Sequence, residues 1–135
     1  MIPAKNKKLI IGSSFDNLRL VEWLIEDVCD VFNINEDCYG NILVVVTEAF
    51  NNAVYQGNNN NPEKNVKIGF ESDKESVTFI LSDEGSGFDY SNLPDPTEPH
   101  NLDKPHGRGV FLMRSLADKI NFLNNGQEVH LSFKL

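Results

Sequence analysis

The sequence predicts an α+β fold, a two-layer sandwich with helices packed on one face of a mixed, mostly antiparallel sheet. Three observations predict it. Three segments carry apolar residues at helical spacing, four or five shorter ones alternate apolar and polar residues, and turn signals join the alternating segments into hairpins. With 135 residues, one domain spanning 1–135 is expected, long enough to bury a core without disulfides or metals.

Leu9 to Phe15 reads as a first strand, with Gly12-Ser13-Ser14 marking its exit. A helix follows from about Asp16 to Phe32, because Val21, Leu24, Ile25, Val28 and Phe32 fall on one face and Glu22, Glu26 and Asp30 largely on the other. Trp23 could serve the core or a partner contact, and its residue type favours the core. Asn33-Ile34-Asn35 separates this helix from the next. Asn35 suits an N-cap, and Glu36 and Asp37 suit the positive end of the helix dipole. Ile42, Leu43, Val46, Ala49, Phe50 and Ala53 form a wide apolar stripe, and Gly57 offers a stop.

Asn58 to Pro62 is a polar loop. Val66, Ile68 and Phe70 share one face of a strand, Val77, Phe79 and Leu81 one face of the next, and Ser72 to Glu75 is the turn between them. From about 89 to 106 the composition changes: four of the six prolines and two of the three histidines lie there, as expected of a long loop that is either functional or disordered, and its prolines and length suggest a lid. Helix resumes at Gly107-Arg108-Gly109, with Val110, Met113, Leu116 and Ala117 inward. Ile120 to Leu123 reads as a strand, Asn124-Asn125-Gly126 as a hairpin turn, and Val129, Leu131, Phe133 and Leu135 alternate along the last strand.

Composition narrows the function classes. Hydrophobic residues make up 40% and charged residues 24%, with a formal charge of −8. No basic excess exists to displace counterions from a polyphosphate backbone, so direct nucleic-acid binding is not expected. No apolar run approaches membrane-spanning length, and the run after Lys5, Lys7 and Lys8 is too short for a signal sequence. Cys29 and Cys38 have no metal-ligand spacing and read as reduced residues in or near the core. A cytoplasmic protein without membrane contact is expected.

Three segments carry candidate chemistry. Glu48 and Asn52 sit four apart on one helix face, where a carboxylate can orient a nucleophile and an amide oxygen can ligate a hard cation such as Mg²⁺. Taken alone, they read as a solvated helix face. Asp83-Glu84-Gly85-Ser86-Gly87 puts a carboxylate at a strand end, followed by glycines that admit close backbone approach. Asp83 has the acceptor needed to read the exocyclic amine of adenine, and the plain alternative is a turn. Gly107-Arg108-Gly109 opens a helix, where free N–H groups attract anions and Arg108 adds a charge. The plain alternative there is a glycine hinge.

In this order, TEAFNNAVYQGN, DEGSGF and GRGVFLMRSLAD resemble the N box and the two glycine boxes of the Bergerat-fold ATPases, the superfamily of gyrase, histidine kinases and mismatch-repair ATPases. Within it, the chain looks most like the small bacterial anti-sigma factors of the RsbW type, which are also serine kinases. The resemblance covers nearly the whole chain. It implies ATP and Mg²⁺ as ligands, with Glu48 as the catalytic base or orienter and Asn52 as the Mg²⁺ ligand. It also implies Asp83 as the adenine reader, Gly85 and Gly87 as pocket-forming, and Gly107, Arg108 and Gly109 around the phosphates. Gln56 stands where the family often has His. Pro105 stands where the better-studied kinases carry Arg, which leaves Lys104 or Arg108 as the phosphate contact. The implied partners are a sigma factor and a STAS-domain anti-anti-sigma protein that accepts the phosphoryl group on serine, and such proteins commonly form homodimers. The alternative is an ATP-binding partner-switching module without kinase activity.

Overall fold

A computed structural model describes residues 8–85 and 108–135. The lid expected at about 89–106, and with it Gly87, Lys104 and Gly107, lies outside the described residues. The element order is β1 (Lys8–Gly12), α1 (Leu18–Val31), α2 (Glu36–Asn52), a π-turn (Ala53–Gly57), β2 (Asn65–Ser72), β3 (Ser76–Ser82), α3 (Arg108–Leu116), β4 (Lys119–Leu123) and β5 (Glu128–Lys134). The five strands form one sheet in the order β1-β2-β3-β5-β4. Every neighbouring pair is antiparallel, so the mostly antiparallel sandwich is realised with no parallel pair among the described residues.

One face of the sheet is dry. Val66, Ile68 and Phe70 of β2, Val77, Phe79 and Leu81 of β3, and Val129, Leu131 and Phe133 of β5 are all buried, at the alternation the sequence predicts. The helices close this face. From α1 come Val21, Leu24, Ile25, Val28 and Cys29, and from α2 Ile42, Val45, Val46, Ala49 and Phe50. Met113 of α3 is buried as well. Trp23 is not part of the core: it is 53% exposed, because its position places it off the arc that Val21, Leu24, Ile25 and Val28 define on α1. None of the helices among the described residues is long and apolar enough to cross a membrane.

The helix boundaries follow local chemistry. Asn33 adopts a left-handed conformation (φ 52°) just after α1, and the Ile34 N–H then reaches back to the Cys29 carbonyl at 3.0 Å. Asn35 caps α2, its side-chain oxygen accepting the Cys38 N–H at 2.8 Å. At its far end α2 does not stop at Asn52. It widens into the π-turn, which the Asn58 N–H closes on the Ala53 carbonyl at 2.8 Å. Gly57 is therefore the last residue of a widened turn, and the chain leaves it through Asn59 and Asn60, both left-handed.

The central strand is the most sensitive place in this core. Phe79 is fully buried, lies opposite Phe70 and Leu131, and meets the Phe133 ring edge to face at 6.3 Å. Phe79→Ala should cost about 3–5 kcal/mol by leaving a cavity between the layers. Chemical denaturation checks this, and a loss below about 1 kcal/mol would show that the layers collapse to fill the void.

Candidate functional site

Two of the residues picked out by the sequence, Asn52 and Asp83, come together where the end of α2, the exit of β3 and the β4–β5 hairpin meet. Asn52, the last residue of α2, and Asp83, the first residue after β3, line one narrow cleft. Its walls include Ala49 and Ala53 below, Met113 of α3, and Phe122 and Gln127 of the hairpin. Its free volume is about 10 Å³, the room of a single water. A flat base enters only if Met113, Phe122 or Gln127 draws back.

Asp83 is 8% exposed. One carboxylate oxygen accepts the Gly85 N–H at 2.8 Å, and the other takes no hydrogen bond among the described residues. Burial pushes its carboxyl above the ordinary range, while the Gly85 N–H and the Lys64 charge pull it back down.

The carboxyl packs directly against Gly57. A Cβ added at Gly57 would overlap the Asp83 carboxylate, and a Cβ added at Gly85 would overlap the Gly57 carbonyl. Both glycines are thus required by close approach, each in a place that its partner fills. Gly57, which the sequence suggests as a helix stop, has this second and more demanding role.

Among the described residues, two buried polar atoms lack a hydrogen-bond partner, Asn51 Oδ1 and Asn52 Nδ2. Such groups are rare because each carries an uncompensated desolvation cost. The Asn52 carboxamide holds a donor and an acceptor on one pivot, so a half-turn about its Cβ–Cγ bond presents oxygen to a cation. No cluster of three or more His, Cys, Asp or Glu among the described residues could hold a metal by itself. One amide oxygen completed by water and phosphate is the donor set that Mg²⁺ accepts, so the residues present fit Mg²⁺ carried on a nucleotide.

Glu48 lies one turn before Asn52 on α2, half-buried, and does not line the cleft. Among the described residues its carboxylate takes no hydrogen bond. Arg108 and Gly109 form the start of α3. Sequence reasoning missed Asn58 and Gln127, which hold the Asp83–Gly85 turn from opposite sides. Asn58 sits in a run of four asparagines with nothing to distinguish it, and Gln127 follows a turn that looks self-sufficient.

The histidine kinase-like ATPase domain model matches residues 12–133. A serine-protein kinase RsbW of Oceanobacillus iheyensis is 30% identical over 87 residues, 60% of this chain and 55% of that protein. An anti-sigma F factor of Bacillus cytotoxicus is 32% identical over 98 residues, 67% of this chain and 66% of that protein. A serine-protein kinase RsbW of Staphylococcus aureus is 27% identical over 119 residues, 82% and 74% of the two chains. The match thus spans little more than half of the first relative.

The raised Asp83 carboxyl has a measurable consequence. A carboxyl whose native pKa is raised favours folding fully below its unfolded value, and that contribution is lost as pH rises through the native value. At neutral pH the ionised group therefore weighs against the nucleotide-free fold. Asp83→Asn should melt higher than the parent at pH 7, with the gain shrinking as pH falls into the ordinary carboxylate range. A gain that grows on acidification would contradict this sign.

Proposed function

The chain belongs to the histidine kinase-like ATPase domain family, and from that premise we propose that it is an ATP-dependent anti-sigma regulatory factor. In this reading it binds a sigma factor and phosphorylates a serine of a STAS-domain anti-anti-sigma protein. The observation that carries the reading is the convergence of Asn52, Asp83 and the Gly57–Gly85 contact on one cleft. A carboxylate acceptor and an unpartnered amide face the same narrow space there. The names of the relatives, serine-protein kinase RsbW and anti-sigma F factor, support the same reading.

The division of labour is the one that the family resemblance implies. Asp83 keeps one oxygen for the Gly85 N–H and offers the other to the exocyclic amine of adenine, which makes the pocket selective against a base presenting a carbonyl there. Asn52 would hold Mg²⁺ through its amide oxygen. The start of α3, with Arg108 and Gly109, would meet the phosphates, because the first N–H groups of any helix have no partner within it. Glu48 accepts the proton of the attacking serine hydroxyl. Bound Mg·ATP supplies the transferable phosphoryl group and neutralises the charge that builds on it, so positioning by these few residues is most of what the protein must provide.

One observation favours the second reading, a partner-switching module that binds ATP without transferring phosphate. Glu48 has no second side chain among the described residues to orient it, whereas a working base is usually held in place. The two readings part at Glu48→Gln. As a base, it should lose transfer by roughly 10²–10⁴-fold while Mg·ATP affinity stays unchanged. Single-turnover transfer of labelled γ-phosphate to the cognate STAS-domain protein checks this. Absence of transfer by the parent protein, with ATP and sigma-factor binding intact, would establish the module instead.

A further inference from the structure

Every backbone N–H of the turn from Asp83 to Gly85 is satisfied, and not by a strand or helix ladder. The Asp83 N–H donates to the Gln127 carbonyl at 3.0 Å, the Glu84 N–H to Asn58 Oδ1 at 2.8 Å, and the Gly85 N–H to the Asp83 carboxylate at 2.8 Å. On the acceptor side, the Gly85 carbonyl takes the Gln127 side-chain Nε2–H at 2.8 Å. A plain surface turn would leave such groups to water.

Two carboxamides from distant parts of the chain thus bracket three residues. Asn58 is fully buried, just past the π-turn. Besides accepting from Glu84, its Nδ2 donates to Ser13 Oγ and to the Asn65 carbonyl, the latter at 3.0 Å. It therefore ties the exit of β1, the start of β2 and the exit of β3 to one point. The Glu84 carboxylate adds a strap of its own to the Asn65 N–H. Gln127 grips the turn from the hairpin and itself lines the cleft beside Asp83.

We propose that Asn58 and Gln127 are positioning residues for nucleotide binding, holding the Asp83–Gly85 turn in its base-reading shape before ligand arrives. The inference rests on the nucleotide-site reading above. Its physical reason is the fit at Gly57. With Gly85 stacked on the Gly57 carbonyl and the Asp83 carboxyl against the Gly57 Cα, the turn has no slack, so a small shift re-aims the reading carboxylate. A turn ordered in advance spares the ligand the cost of ordering it. Neither residue needs to touch the nucleotide for this.

The test is calorimetry of Mg·ATP and Mg·GTP with the full chain, together with melting of the nucleotide-free protein. Gln127→Ala should weaken ATP binding about tenfold, the worth of one well-placed hydrogen bond. It should narrow the ATP-to-GTP preference and shift melting only slightly. Asn58→Ala should do the same to affinity with a larger loss in melting temperature. The decisive readout is coupling: in an Asp83→Asn background, either substitution should change ATP affinity less than about twofold, because the group it positions is gone. Gln127→Met keeps most of the side-chain length and loses the donated bond without adding a charge beside Asp83, so it should behave like Gln127→Ala and serves if the alanine variant misfolds. Parental ATP affinity in both Gln127 variants would overturn the proposal, as would an unchanged loss in the Asp83→Asn background. Failure of the parent chain to bind Mg·ATP at all would overturn the nucleotide-site reading and this inference with it.

Discussion

The Asp83 carboxyl occupies the volume where any side chain at position 57 would begin, and much of the molecule's arrangement serves that contact. For the two segments to meet, α2 must end against the exit of β3. The alternating core of β2, β3 and β5 fixes the sheet, and the apolar stripe of α2 fixes the helix on it. The widening at Ala53–Gly57 then turns the backbone so that Gly57, rather than a residue with a Cβ, faces Asp83. Asn59 and Asn60 carry the chain away in left-handed conformations that asparagine tolerates better than most residues.

That contact places a carboxylate where folding alone would not choose to put one. Burial raises the Asp83 carboxyl, and only the Gly85 N–H and the nearby Lys64 charge offset it. The unpartnered Asn51 and Asn52 atoms nearby carry the same sign of cost. Asp83 and Asn52 on one cleft, with Asn51 next to them in the chain, are what a binding site looks like before its ligand satisfies it. The dry layers of Phe70, Phe79, Phe133 and Phe50 supply the stability that makes this tolerable.

How much of this the sequence discloses depends on how local the cause is. Strand alternation, the Asn35 cap and the inward faces of α1 and α2 are written in neighbouring residues and were legible. That Asn52 and Asp83 belong together was legible through the order of their segments and the family resemblance it carries; the roles given to them and to Glu48 are proposals. Trp23 was misplaced because residue type argued for burial while its angular position on α1 argued against it, and position won. Asn58 and Gln127 were invisible because their roles are tertiary: each acts on a turn far away in sequence, and nothing in their own neighbourhoods marks them. Gly57 was read as a helix stop for the same reason, since the atom that forbids a side chain there belongs to residue 83.

The central claim is that adenine nucleotide binds at the Asn52–Asp83 cleft, and not in the roomier cavity of about 250 Å³ on the open face of the sheet, lined by Lys8, Lys67, Gly69 and His130. Backbone amide chemical shifts during titration with Mg·ATP test it most directly. The account predicts the largest shifts at Asn52, Gly57, Glu84, Gly85 and Gln127, saturating together, with Mg·GTP producing far smaller ones at equal concentration. Shifts centred on Lys67, Gly69 and His130, or equal responses to both nucleotides, would contradict it.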